Sequence, residues 1–157
     1  MMIIDWLARR ADLHGERAAL EVPGGRVLTY AALNQRASQV ARVLRGPCGV
    51  GDGDRVALLA FNDPAHFELL YGCGKAGAVL VPLNFRLAAT EILAILRDCE
   101  PRALVIDPAH AALAAPVLAE FRGAVLWLDS AQQRGAPYVD APGQPLRAGL
   151  SARPALW

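Results

Sequence analysis

Gly72-Cys-Gly-Lys-Ala-Gly77 spells G-x-G-x-x-G, the pattern that brings backbone amides against a pyrophosphate. That chemistry needs the glycines to leave a strand and open a helix, so that free N–H groups gather at the helix N-terminus. Here the apolar pattern puts them at the close of a helix and ahead of a strand, where a C-cap and close helix packing account for them. The run also fails as a G-x-x-x-x-G-K-[ST] phosphate loop, because Lys75 is followed by Ala76 and position 69 is Leu. Gly49, Gly51 and Gly53 precede a strand and read as turn residues. His14, His66 and His110 share no metal-ligand spacing and read as solvated or packed side chains. Ser38, Ser130 and Ser151, the only serines, lie outside any G-x-S-x-G nucleophile turn. Asp54, Asp63, Glu68 and Glu91 read as turns, caps and solvated faces. These residues by themselves predict neither a catalytic constellation nor a metal site.

Charge and thiols narrow the partners further. Sixteen basic and fifteen acidic residues leave a net charge of +1 over 157 residues, with no run of like charges. A basic footprint for nucleic acid or anionic lipid is therefore not expected. Cys48, Cys73 and Cys99 are odd in number and lack C-x-x-C spacing, which predicts reduced thiols and a cytoplasmic setting. No apolar run reaches the roughly 18 residues of a membrane span, and the N-terminus lacks the pattern of an export signal. With 54% hydrophobic and 20% charged residues the chain can bury a core without staples, and its length fits one domain.

The elements that must position any site follow from periodicity. Ile3 to about Leu13 reads as a short amphipathic helix, and Ala18–Val22 with Arg26–Tyr30, around Pro23-Gly24-Gly25, as a small antiparallel hairpin. From Tyr30 to Arg45 the residues Leu33, Ala37, Val40, Ala41 and Leu44 share one helical face, with Thr29 as N-cap. Three βα steps follow: strand Arg55–Ala60; a helix capped by Asn62, with Pro64 in its first turn; strand Ala78–Pro82; a helix opening at Thr90-Glu91; strand Ala103–Ile106; an Ala-rich helix from Pro108 to Phe121; and strand Ala124–Leu128. Strands apolar on both faces that alternate with helices predict an α/β fold, a parallel sheet with helices on both faces built from flavodoxin-like βα units. The predicted division is a 1–128 α/β unit and a 129–157 stretch rich in Pro and Gly, a loop ending in the beginning of a strand at Pro154–Trp157. A free-standing flavodoxin-like binding or interaction module, without catalysis, would fit this alternation too.

Three stretches together resemble the adenylate-forming (AMP-binding) superfamily, the acyl-CoA synthetases and their relatives. Leu28-Thr-Tyr-Ala-Ala-Leu33 looks like the motif L-T-Y-x-E-L, with Ala32 where an acidic residue is usual. Asp54-Arg-Val-Ala-Leu-Leu59, Asn62 and Leu70-Tyr-Gly-Cys-Gly-Lys-Ala-Gly-Ala-Val-Leu-Val-Pro-Leu-Asn84 resemble the second core stretch, in which K-A-G-A precedes V-P-L-N. Asn84-Phe-Arg-Leu87 followed by Glu91-Ile92 is similar to the N-x-R-L run of fatty-acyl, aryl and malonyl CoA ligases. The resemblance implies the N-terminal subdomain of an ATP-dependent acyl-CoA synthetase of the fatty-acid–CoA ligase type, an incomplete piece of the larger adenylate-forming fold. It implies ATP, CoA and Mg2+ as cofactors of the complete enzyme, a carboxylic acid as substrate, and the remainder of the synthetase as partner. The family's Y-T-S-G-T-T-G-x-P-K loop does not occur in these 157 residues, so no adenylation is expected of this chain alone. Surface left bare by that remainder would favour self-association. The resemblance also places Arg86, the Arg of N-x-R-L, near a phosphate of the CoA nucleotide.

Overall fold

Thr29 is the hinge between an antiparallel strand pair and the longest helix of the fold. The computed structural model describes residues 5–22, 26–128 and 150–152. Helix α1 (Trp6–His14) leads into β1 (Ala18–Val22), which pairs antiparallel with β2 (Arg26–Thr29) as the turn signal predicts. The Thr29 hydroxyl then accepts the amide of Ala32 at 3.2 Å and starts α2 (Tyr30–Arg45), with the predicted bounds. Leu33, Ala37, Val40 and Leu44 form its buried stripe. Helix α1 spans Trp6–His14, with the Asp5 carboxylate accepting the amide of Ala8 as its cap; the start predicted at Ile3 lies outside the described residues.

The second sheet follows as β3 (Arg55–Leu59), α3 (Ala65–Ala76), β4 (Val79–Leu83), α4 (Ala89–Cys99), β5 (Ala103–Ile106), a 3-10 turn at Pro108–His110, α5 (Ala111–Glu120), β6 (Ala124–Leu128) and β7 (Leu150–Ala152). Its strand order is β4-β3-β5-β6-β7; the first four strands are parallel, and β7 runs antiparallel to β6. Strand β7 arises inside the 129–157 stretch read as loop, and the strand expected at Pro154–Trp157 lies outside the described residues. Period-two alternation divides the core. Val56, Leu58, Ala103, Val105, Leu126 and Leu128 meet α2 and α3, whereas Ala57, Leu59, Leu104 and Ile106 meet α4 and α5. Both faces are thus covered, which a parallel sheet requires.

Two local expectations change. The cap of α3 comes from Asp63, whose Oδ1 accepts the amide of Ala65 at 2.9 Å, and not from Asn62. Proline at 64 has no N–H to offer, so the first amide needing a partner is that of Ala65, within reach of Asp63. Helix α4 begins at Ala89, after Ala88, whose amide donates to Glu91 Oε2 at 2.8 Å. Glu91 thus makes half of a capping box.

Candidate functional site

Glycines 72 to 77 form no phosphate loop. They lie in the second half of α3, and Gly77, with φ of 73°, closes it in the left-handed conformation while its amide donates to Cys73 and Gly74 carbonyls. Lys75 pairs instead with Asp5, pinning the end of α3 to the start of α1. Burial raises the Asp5 carboxyl, but the Lys75 ammonium and the amides of Ala8 and Leu7 outweigh it and hold the group below its ordinary value.

The chemistry-bearing side chains gather at the other end of the sheet. Leu59 is level with Leu83 on one side and with Ile106 on the other, so β3, β4 and β5 end together. The chain passes from β3 out to β4 and then back beyond β3 to β5, which makes this edge the topological switch point where open α/β sheets take ligands. Phe61 and Phe85 each stand two residues beyond a strand end, continuing the alternation that turns Leu59 and Leu83 toward the α4 and α5 side. Their rings meet edge-on at 4.8 Å between centroids. His110, at the end of the 3-10 turn after β5, lies 4.3 Å from Phe61 and 5.5 Å from Phe85. The turn is built by Asp107: its Oδ1 accepts the amide of Ala109 at 2.9 Å, and its carbonyl accepts that of His110 at 2.8 Å.

Arg86 belongs to the same edge. Its amide donates to Asn84 Oδ1 at 3.0 Å, and the Asn84 carbonyl accepts the amide of Leu87 at 3.1 Å, so Asn84 sets the turn that presents Arg86 to solvent. Its guanidinium carbon lies 5.7 Å from the centroid of the Phe85 ring. The structure therefore joins the predicted Arg86 to an unpredicted trio, Phe61, Phe85 and His110. An exposed cation, two aromatic rings and an imidazole at one sheet edge suit a ligand with both a phosphate and flat or apolar parts.

Of the remaining expected groups, His66 lies in the first turn of α3, and Cys48 and Cys73 are buried. Burial pushes the Cys73 thiol up to about 12. Among the described residues no three His, Cys, Asp or Glu side chains are grouped to hold a metal ion. No helix among them is long and apolar enough to cross a membrane.

Comparison with known proteins decides the lineage: residues 7–147 match the family model described as AMP-binding enzyme. The chain belongs to that family. A feruloyl-CoA synthase of Amycolatopsis sp is 45% identical over 114 residues, 73% of this chain and 23% of that protein. A long-chain-fatty-acid–CoA ligase of Mycobacterium tuberculosis is 40% identical over 124 residues, 78% of this chain and 24% of that protein. The solved structure of ATP-bound MatB from Rhodopseudomonas palustris shares 31% identity at a TM-score of 0.69, covering 81% of this chain and 25% of that one. The chain thus spans about a quarter of the length of these relatives. The feruloyl-CoA synthase and the long-chain-fatty-acid–CoA ligase are named for different acids, so they do not single out a fatty-acid type.

Proposed function

We propose that this chain supplies the N-terminal α/β unit, residues 1–128, of an ATP-dependent acyl-CoA synthetase acting on an apolar carboxylic acid, a fatty acid first among them. In such an enzyme carboxylate and ATP give an acyl-adenylate and pyrophosphate, and CoA then displaces AMP to form the thioester. The observation that carries the reading is Arg86 at the carboxyl edge of β4, in the N-x-R-L run of a chain whose relatives are CoA ligases. A guanidinium held over Phe85 and open to solvent fits a CoA phosphate through paired charge-assisted hydrogen bonds. Arg86 binds and orients; no proton transfer is asked of it.

ATP fits this chain less well. The sequence has no Ser/Thr/Gly phosphate loop, and its one G-x-G-x-x-G run ends a helix. We therefore assign ATP and Mg2+ to the remainder of the synthetase, and to the chain the scaffold and one flank of the CoA path. The free thiols support a cytoplasmic setting. A groove of about 490 Å3, where Leu20, Val22, Pro64 and Phe67 mix with Glu21, Asn62, Asp63 and His66, is the face on which that remainder, or a second copy in its absence, would pack.

The test is carboxylate-dependent ATP–pyrophosphate exchange. The complete synthetase should exchange pyrophosphate with a fatty or aryl acid and then consume CoA, whereas the purified 157-residue chain should show background exchange only. Exchange by the chain alone, or a complete protein that forms no acyl-adenylate, would refute the assignment.

A further inference from the structure

Among the described residues, His110 at the carboxyl edge has both ring nitrogens left unused by the fold. It is 6% exposed, and neither ring nitrogen reaches solvent or a hydrogen-bond partner. Buried polar groups are nearly always bonded, and an exception calls for a physical reason. A purely structural reason is weak here, because an imidazole whose two nitrogens make no hydrogen bond gains nothing that a phenyl ring would not supply without the desolvation cost.

What shields His110 is itself poorly held. Phe61 lies 4.3 Å away by ring centroids, yet 48% of the residue faces solvent. A half-exposed phenyl ring changes rotamer readily, on a timescale of nanoseconds or faster. Phe85 closes a triangle with Phe61 and His110, and the Arg86 guanidinium lies beside the Phe85 ring. Guanidinium carbon and imidazole centroid each lie within 5.7 Å of the Phe85 centroid, so the length of a nucleotide spans both.

We propose that Phe61 is a movable cover over His110, and that with the ring displaced the imidazole hydrogen-bonds the phosphorylated nucleotide whose phosphate Arg86 holds. The inference rests on the Arg86 reading and adds to it a second polar contact and a moving part. An imidazole offers a donor at one nitrogen and an acceptor at the other, which suits a ribose hydroxyl or a base edge. The Phe85 ring offers a face on which the base can stack. His110 would then be a positioning residue that favours the nucleotide over a bare phosphate.

The probe is adenosine 3′,5′-bisphosphate, added to the 157-residue chain carrying 15N-labelled histidine. The His110 ring signals, assigned by their loss in His110→Phe, should shift on saturation while those of His14 and His66 stay. Binding should weaken about 5- to 30-fold in His110→Phe, the loss expected of one hydrogen bond in a protected site. Phe61→Ala should bind at least as tightly as the parent, since no ring has to move. Inorganic phosphate should bind parent and His110→Phe equally. An unmoved His110 signal in a chain that binds the probe through Arg86 would overturn the role of His110 alone. Equal binding by Arg86→Ala and parent would overturn the Arg86 reading, and with it this one. Absence of binding to the parent at millimolar probe would overturn both. The shift is read on the parent protein, and His110→Phe serves it only to assign the signals.

Discussion

Gly72 of α3 faces Val40 of α2 so closely that a methyl group built on its α-carbon would lie 2.5 Å from Val40 Cγ1 and 2.7 Å from Val40 Cβ. The contact explains a glycine inside a helix, where it otherwise costs about 1 kcal/mol relative to alanine. It lets α2 and α3 approach and cover the face formed by Val56, Leu58, Ala103 and Val105.

Gly72→Ala is therefore expected to destabilise the chain by about 1 to 3 kcal/mol, the ordinary penalty of overpacking, despite its better helix propensity. Val40 is β-branched and next to its own backbone, so the clash cannot be relieved by a side-chain turn alone. Urea unfolding of Gly72→Ala, Val40→Ala and the double variant checks this: the double variant should be more stable than the two single losses predict.

The ion pair of Asp5 and Lys75 gives a pH dependence of defined sign. Asp5 titrates below its unfolded value of roughly 3.9, so it contributes stability above that pH and loses it as the pH falls through the lower folded value. Asp5→Asn keeps a cap for α1 but removes the charge. Its stability deficit at pH 7 should stay within about 1 kcal/mol, as for other partly exposed pairs, and should close as the pH falls through the lowered folded value. Thermal unfolding of parent and variant across that range measures it.

Thiol reactivity should rank the cysteines. Cys73 is buried with its thiol pushed up to about 12, and burial raises Cys48 as well. Burial also raises Cys99, at the end of α4, but this residue is partly exposed and the Arg55 guanidinium offsets some of the rise. Alkylation at pH 8 followed by peptide mass analysis should label Cys99 first and Cys73 only on unfolding, since the thiolate is the reacting species.

How far the sequence reaches is visible in particular residues. Helix α2 and the parallel strands were legible because an apolar stripe and continuous apolar runs are local signals that tertiary packing reinforces. The exchange of Asn62 for Asp63 as the cap of α3 turns on which amide Pro64 leaves unpaired, a one-residue matter that composition does not resolve. Strand β7 is three residues long and has no alternation to read. Arg86 came from a motif resemblance, whereas the company of Phe61, Phe85 and His110 did not, because their meeting depends on strand order. The usable signal was that each follows the end of an apolar strand, and parallel strands share their carboxyl edge.

Arg86 stands at the centre of the functional proposal, as a residue that serves the thioester half-reaction. In the proposed complete synthetase, Arg86→Ala is compared with the parent by ATP–pyrophosphate exchange without CoA, and by thioester formation across a CoA titration. The expected result is unchanged exchange with a Michaelis constant for CoA raised about 5- to 150-fold, the loss of one charge-assisted contact of roughly 1 to 3 kcal/mol. Equal losses in both half-reactions, or no loss in either, would contradict that role and leave Arg86 a scaffold residue.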